Sequence, residues 1–172
     1  MKYLINKIKN AFFAERKLYK KKYNRILPFG EYISDRWEKA QALGFGKGTS
    51  IYDSAIIIGN VVVGENTWIG PNVILDGSGN LEIGDNCSIS AGVHIYTHDT
   101  VDWSISRDKK PYLFSSVKIG NNCYIGPNAV ISKGVCLGDG CIVGALSFVN
   151  KSFPGKTKIV GQPAKKSKSI NI

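Results

Sequence analysis

Histidine is the scarcest reactive residue in this chain: 172 residues hold only His94 and His98. Two imidazoles cannot supply an intrachain three-histidine zinc site, and no metal is expected. Cysteine is limited to four, Cys87, Cys123, Cys136 and Cys141, with neither CxxC spacing nor the density of a disulfide framework. Small buried thiols in a reducing cytoplasm are the expectation. Long apolar runs are missing as well. No stretch approaches the ~20 apolar residues of a membrane span, and Asn6, Lys7 and Lys9 break up what would be the apolar region of a secretory signal. There is no Walker loop, Rossmann fingerprint or serine nucleophile elbow.

Acidic residues are few, 13 against 23 Lys and Arg. The resulting charge of +10 suggests nucleic acid until it is located along the chain. Residues 1–25 carry nine Lys/Arg and one acid, Glu15, for +8; the remaining residues hold 14 basic and 12 acidic side chains, for +2. Basicity thus belongs to an arm. Leu4, Ile8, Ala11 and Phe12 follow helical i, i+4, i+7, i+8 spacing, with Lys2, Lys9, Arg16 and Lys17 off that stripe. Such a helix packs on the rest of the chain or a neighbouring subunit, or rests peripherally on an anionic membrane. No nucleic-acid-binding motif follows it. A second short helix is predicted from Asp35 to Leu43. Asp35 with Glu38 three residues on resembles a capping box, and Gly44 stops it.

What the chain has in quantity is a rhythm. Ile51, Ile57, Val63, Ile69 and Leu75 are six apart; after a slip of two residues come Ile83, Ile89 and Ile95, then Ile119, Ile125, Ile131, Leu137, Val143 and Val149. The next position is Gly at 64, 70, 84, 120, 126, 138 and 144. The third is Asn at 60, 66, 72, 86, 122 and 128, a residue that tolerates left-handed backbone. Cys87, Cys123 and Cys141 share the small-residue slot that follows. A fixed hexapeptide period marks a parallel β-helix, an all-β solenoid whose coils each have three short flats. The pattern implies roughly five coils between about residues 50 and 155. An α-helical reading fails on the period, and a hairpin sandwich fails because turn signals recur too often. The organisation predicted is a helical extension over 1–49, the β-helix over 50–162 and a basic tail over 163–172.

One interruption stands out. From Asp99 to Ser116 the pattern vanishes for 18 residues, an excursion of the length usually kept for function. Asp99, Asp102, Trp103, Arg107 and Tyr112 supply the mixture of charge and ring that would hold a polar ring compound. His98 leaves the solenoid at its start, in the corner slot that elsewhere favours Asn. A neutral imidazole there can accept a proton from an attacking hydroxyl. Alternatively it only forms a turn. For His94, four residues earlier, a structural role is expected.

The segments ILDGSGNLEIGDNCSISAGVHIYTHD and VKIGNNCYIGPNAVISKGVCLGDGCIVGALSFVNKSFPGKTKIVGQPAKK resemble the bacterial hexapeptide-repeat acetyltransferases. They are most similar to sugar O-acetyltransferases of surface-polysaccharide and colanic acid clusters, relatives of maltose and galactoside acetyltransferases. The resemblance implies a left-handed coil, acetyl-CoA as donor, and a homotrimer with sites between subunits. It implies His98 as general base and Asp76 as the acid near the sugar. In the coenzyme groove it implies Pro127 after Gly126 facing the thioester, Ala145 after Gly144, the pair Asn150–Lys151, Lys165 after Pro-Ala, and Tyr124 where relatives often carry Trp. Maltose-type enzymes have two more residues before the histidine, and their sugar-binding Asn aligns with Ile69. A polysaccharide precursor is therefore the better acceptor expectation than free maltose or galactoside. Two alternatives stay open: N-acetylation of a nucleotide-linked amino sugar, and a non-catalytic β-helical scaffold.

Overall fold

The computed structural model describes residues 1–167. Helix α1 (Lys2–Tyr23) is followed by a 3-10 turn (Phe29–Tyr32) and by α2 (Arg36–Ala42). The expected cap on α2 is present: Asp35 Oδ1 accepts from the backbone N–H of Trp37 at 2.9 Å and of Glu38 at 3.0 Å. Gly44, at φ 74°, ends it in the left-handed region glycine tolerates. Ala40 and Phe45 are buried against the first coil. Lys39 Nζ donates to the carbonyls of Tyr52, Asp53 and Ala55, closing the solenoid's open end.

Beyond this cap the chain is a parallel β-solenoid, an architecture consistent with a left-handed β-helix. The first flat stacks six rungs: Ser50–Ile51, Trp68–Ile69, Ser88–Ile89, Tyr124–Ile125, Ile142–Val143 and Lys158–Gly161. The second and third flats have five each, so five coils are followed by a sixth rung. The periodic aliphatics point inward. Ile51, Ile69, Ile89, Ile125, Val143 and Ile159 form one fully buried column. Since each rung touches only its neighbours, a mid-stack void has no slack around it. Ile125→Ala should therefore lower unfolding free energy by about 2–5 kcal/mol, read as a shifted chemical-denaturation midpoint.

Asn66, Asn72, Asn86, Asn122 and Asn128 occupy left-handed corners, with φ between 52° and 57°. Asn60 and His98 do not follow. Asn60 lies within the strand Ile56–Val63, where Gly59 at φ 67° makes the turn one residue earlier. His98 belongs to a strand and pairs with Phe114. The predicted corner role for His98 is thus replaced by an extended one. The two-residue slip after Leu75 has a structural counterpart: strand Ile74–Ile83 runs on through the corner, and its pairing with Ile56–Val63 shifts register between Gly59 and Val61.

The 18-residue excursion is more ordered than its sequence suggests. His98–Asp99 pairs antiparallel with Leu113–Phe114, closing the base, and a short helix α3 (Val101–Ile105) stands above it. At the far end, Ala164–Lys166 pairs antiparallel with Lys158–Gly161. The expected basic tail thus begins as a hairpin, and 168–172 lie outside the described residues. No described helix is long and apolar enough to cross a membrane.

Candidate functional site

The bulged corner after Leu75 turns a carboxylate inward. Asp76 is wholly buried, and both its oxygens are occupied. Oδ1 accepts from Ser78 Oγ at 2.6 Å and Ser78 N at 3.0 Å. Oδ2 accepts from Thr97 N at 2.9 Å, Thr97 Oγ1 at 3.3 Å and His98 Nδ1 at 2.7 Å. Burial pushes the Asp76 pKa up, but this is outweighed by hydrogen bonds from the Ser78 side chain, the Thr97 and Ser78 backbone and His98. The net effect holds the carboxyl well below the usual carboxylate range.

An ionised carboxylate can only accept, so His98 must carry its proton on Nδ1. That tautomer leaves Nε2 with a free lone pair. The imidazole is 31% exposed, and the Phe114 ring lies beside it, 5.8 Å between centroids and 27° from parallel. One edge of His98 is therefore fixed to the protein interior and the other faces outward. His94 is elsewhere occupied, its Nδ1 lying 3.2 Å from the Tyr96 hydroxyl.

The predicted acceptor residues separate into two groups. Asp76 and His98 meet directly. Asp99 lies next to them but is engaged: it accepts from Val101 N at 3.1 Å, two residues on, and pairs with Lys133 at 3.1 Å. These two contacts, the backbone one first, lower its pKa. The remaining residues sit around α3. Asp102 pairs with Lys110 at 3.4 Å, and Trp103 meets Tyr112 edge-on at 5.5 Å. Arg107 follows with a left-handed φ of 55°. Sequence reasoning missed Ser78, Thr97 and Lys133. The two-residue slip was the only signal pointing to the first two.

The predicted coenzyme residues fall on two corners of the coil. Gly126, Pro127, Gly144 and Ala145 lie between the first and second flats. There the rungs approach so closely that a Cβ on Gly126 would meet Ala145 N at 2.6 Å and one on Gly144 would meet Val160 at 2.8 Å. Leu146, at φ 59°, donates its N–H to Pro127 O at 2.9 Å. Tyr124 faces outward from the first flat, 43% exposed. Asn150 and Lys151 share the corner of His98, and Lys165 is exposed on the terminal hairpin opposite Val160. One flat separates the two corners. Six residues at ~3.3 Å rise amount to roughly 20 Å.

Comparison with known proteins decides the family. The description "Bacterial transferase hexapeptide (six repeats)" matches residues 116–151, and "Hexapeptide repeat of succinyl-transferase" matches 60–97. A maltose O-acetyltransferase from Clostridium difficile 630 superposes with a TM-score of 0.72 at 30% identity, covering 94% of this chain and 89% of that one. The chain belongs to the hexapeptide-repeat transferases. A variant of the N-acyltransferase AntD from Bacillus cereus, in complex with dTDP and coenzyme A, superposes on this transferase with a TM-score of 0.66 at 27% identity, covering 73% and 72%. The carnitine operon protein CaiE of Proteus sp. (strain LE138) is 35% identical over 127 residues, 70% of this chain and 64% of CaiE. The hexapeptide-repeat transferase described here thus spans less than two thirds of that curated relative.

Proposed function

We propose that this protein is an acetyl-CoA-dependent O-acetyltransferase acting on a sugar hydroxyl, with a bacterial surface polysaccharide or its precursor as acceptor. The observation that carries the reading is the 2.7 Å contact between His98 Nδ1 and the buried Asp76. A hydroxyl is a poor nucleophile until its proton is taken, so a base held in one tautomer answers a need that a neutral amine does not have.

In this mechanism His98 Nε2 takes the acceptor proton as the hydroxyl oxygen attacks the thioester carbon. The imidazolium so formed is stabilised by Asp76, and His98 then returns the proton to the departing coenzyme thiolate. Asp76 is thereby a positioning residue rather than a ligand of the sugar, because none of its oxygens is left for one. Acceptor recognition falls to Asp102, Trp103, Arg107 and Tyr112 above the site, with Asp99 fixing the base of the excursion.

For the donor, the closely stacked rungs at Gly126 and Gly144 give a flat wall beside Pro127 and Ala145, and Tyr124 lies next to it. Lys151 and Lys165 are exposed cations suited to phosphate groups. The neighbour AntD carries coenzyme A, and the maltose enzyme is an acetyltransferase; both support acetyl-CoA as donor. A wall roughly 20 Å from His98 across one flat completes a site more simply when a second subunit presents it. We therefore read the working unit as a homotrimer with sites between chains, acting in the cytoplasm.

Mixing two individually inactive variants tests this arrangement. His98→Asn removes the base, and Ala145→Trp fills the donor wall on the other corner. Co-refolded chains should regain acetyl transfer if each site draws on two subunits, and should stay inactive if one chain holds the whole site. Acylation of an amine but of no hydroxyl acceptor would instead select the N-acyl reading.

A further inference from the structure

Helix α1 is 22 residues long and buries none of them. It is anchored between Phe12 and Tyr19. Phe12 packs on Phe29 and Tyr32 with centroids 5.2 and 5.4 Å apart, and Tyr19 packs on Tyr32 at 5.0 Å. At 100° per residue, Leu4, Ile5 and Ile8 lie on the same arc as Phe12 and Tyr19. The stripe that begins covered therefore ends bare: Leu4 is 61% exposed, Ile5 46% and Ile8 48%. The uncovered part, from Leu4 to Ile8, is about 6 Å long at 1.5 Å per residue. Lys2, Lys9 and Lys20 flank that arc, and Lys17 stands opposite it.

Three occupants could cover such a stripe, and charge chooses among them. Residues 1–25 carry +8, while the rest of the chain carries +2. A second copy carries the same net charge of +10, so net charge opposes the pairing of two such arms. A nucleic-acid duplex would meet them but has no place for a row of aliphatic side chains. An anionic lipid surface satisfies both demands, with headgroups for the lysines and acyl chains for the stripe. We propose that α1 docks this protein on an anionic membrane surface, Leu4, Ile5 and Ile8 entering the acyl boundary while the flanking lysines stay at the headgroups.

The test is co-sedimentation of the full chain with vesicles, either mixed phosphatidylglycerol and phosphatidylcholine or phosphatidylcholine alone. Binding should require the anionic lipid and weaken as salt shortens the screening length from about 10 Å at 0.1 M to about 3 Å at 1 M. A Leu4→Asp/Ile8→Asp variant should lose at least about tenfold in partitioning, the cost of denying two aliphatic side chains their apolar surroundings. A Lys2→Glu/Lys9→Glu variant should lose a similar factor at low salt. Both should keep wild-type circular dichroism and wild-type mass by light scattering. Absent vesicle binding, or binding indifferent to Leu4→Asp/Ile8→Asp, would overturn the proposal. So would a fall in oligomer mass in that variant, which would assign the stripe to a neighbouring subunit, or a preference for a DNA duplex over vesicles.

Discussion

Replacing His98 with asparagine is expected to lower turnover of a hydroxyl acceptor by about 10²–10⁴, the usual worth of a general base, while coenzyme affinity stays near wild type. Asparagine is the informative replacement. Its amide N–H can still donate to Asp76 Oδ2, so the buried carboxylate keeps a partner and the strand pairing of His98 with Phe114 persists. Only the outward-facing lone pair is removed. His98→Ala should match it in rate while freeing one Asp76 lone pair beside solvent. Single-turnover kinetics with saturating acetyl-CoA, together with calorimetric coenzyme titration, separate the two effects. A His98→Asn enzyme that folds normally and acetylates a hydroxyl at near wild-type rate would remove His98 from the role of base.

Asp76→Asn should be as damaging for a different reason. Asparagine keeps one carbonyl for Ser78, but its amide then faces two donors, Thr97 N and His98 Nδ1. With the amide turned toward Thr97 and His98, the imidazole relieves that conflict by moving its proton to Nε2, where it blocks the acceptor hydroxyl. Holding a histidine in the wrong tautomer costs a rate factor on the order of 10⁴ in a well-studied triad, and a loss of about 10²–10⁴ is expected here. The same conflict, buried with no water to absorb it, should cost about 2–4 kcal/mol of stability. Its pH dependence has a definite sign. Because the Asp76 carboxyl is held below the usual range in the folded protein, its stabilisation is fully present above the unfolded value of about 3.9 and fades as pH falls below that. The stability gap between wild type and Asp76→Asn should therefore be widest near neutrality and narrow in acid below about pH 4. Equilibrium denaturation at several pH values reads this directly, and a gap that grew on acidification would contradict the assigned charge state.

The fold was legible because a six-residue period leaves little freedom. Inward aliphatics, following glycines and left-handed asparagines each answer one geometric demand of a three-sided coil, and five of the six asparagine corners were read correctly. His98 was legible as well, but by an incomplete argument. Its place before the excursion marked it, whereas the corner geometry assigned to it belongs to the asparagines alone. The partners of Asp76 were harder to see. Thr97 and His98 lie 21 and 22 residues beyond it, and which coil they meet depends on a register that the bulge itself alters. Read as a gap in the pattern, the two extra residues between Leu75 and Ile83 carry no chemistry. In three dimensions they turn a carboxylate inward beneath an imidazole. The order within the excursion was hidden for another reason: α3 has only five residues, too few for periodicity to register.

The excursion's relation to its neighbours has a wider consequence. Strand His94–Ile95 pairs in direct register with Val130–Ile131, and Ser88–Ile89 with Tyr124–Ile125, so the coils close over the point of exit as if nothing had left. The excursion that carries α3 is thus a cassette on an uninterrupted spindle. Its length and chemistry can drift across descendants of this chain without renegotiating the stack, while the histidine at its root keeps its aim. With the excursion as the proposed acceptor-recognition element, a scaffold of this kind would change the molecule it modifies by rewriting one loop.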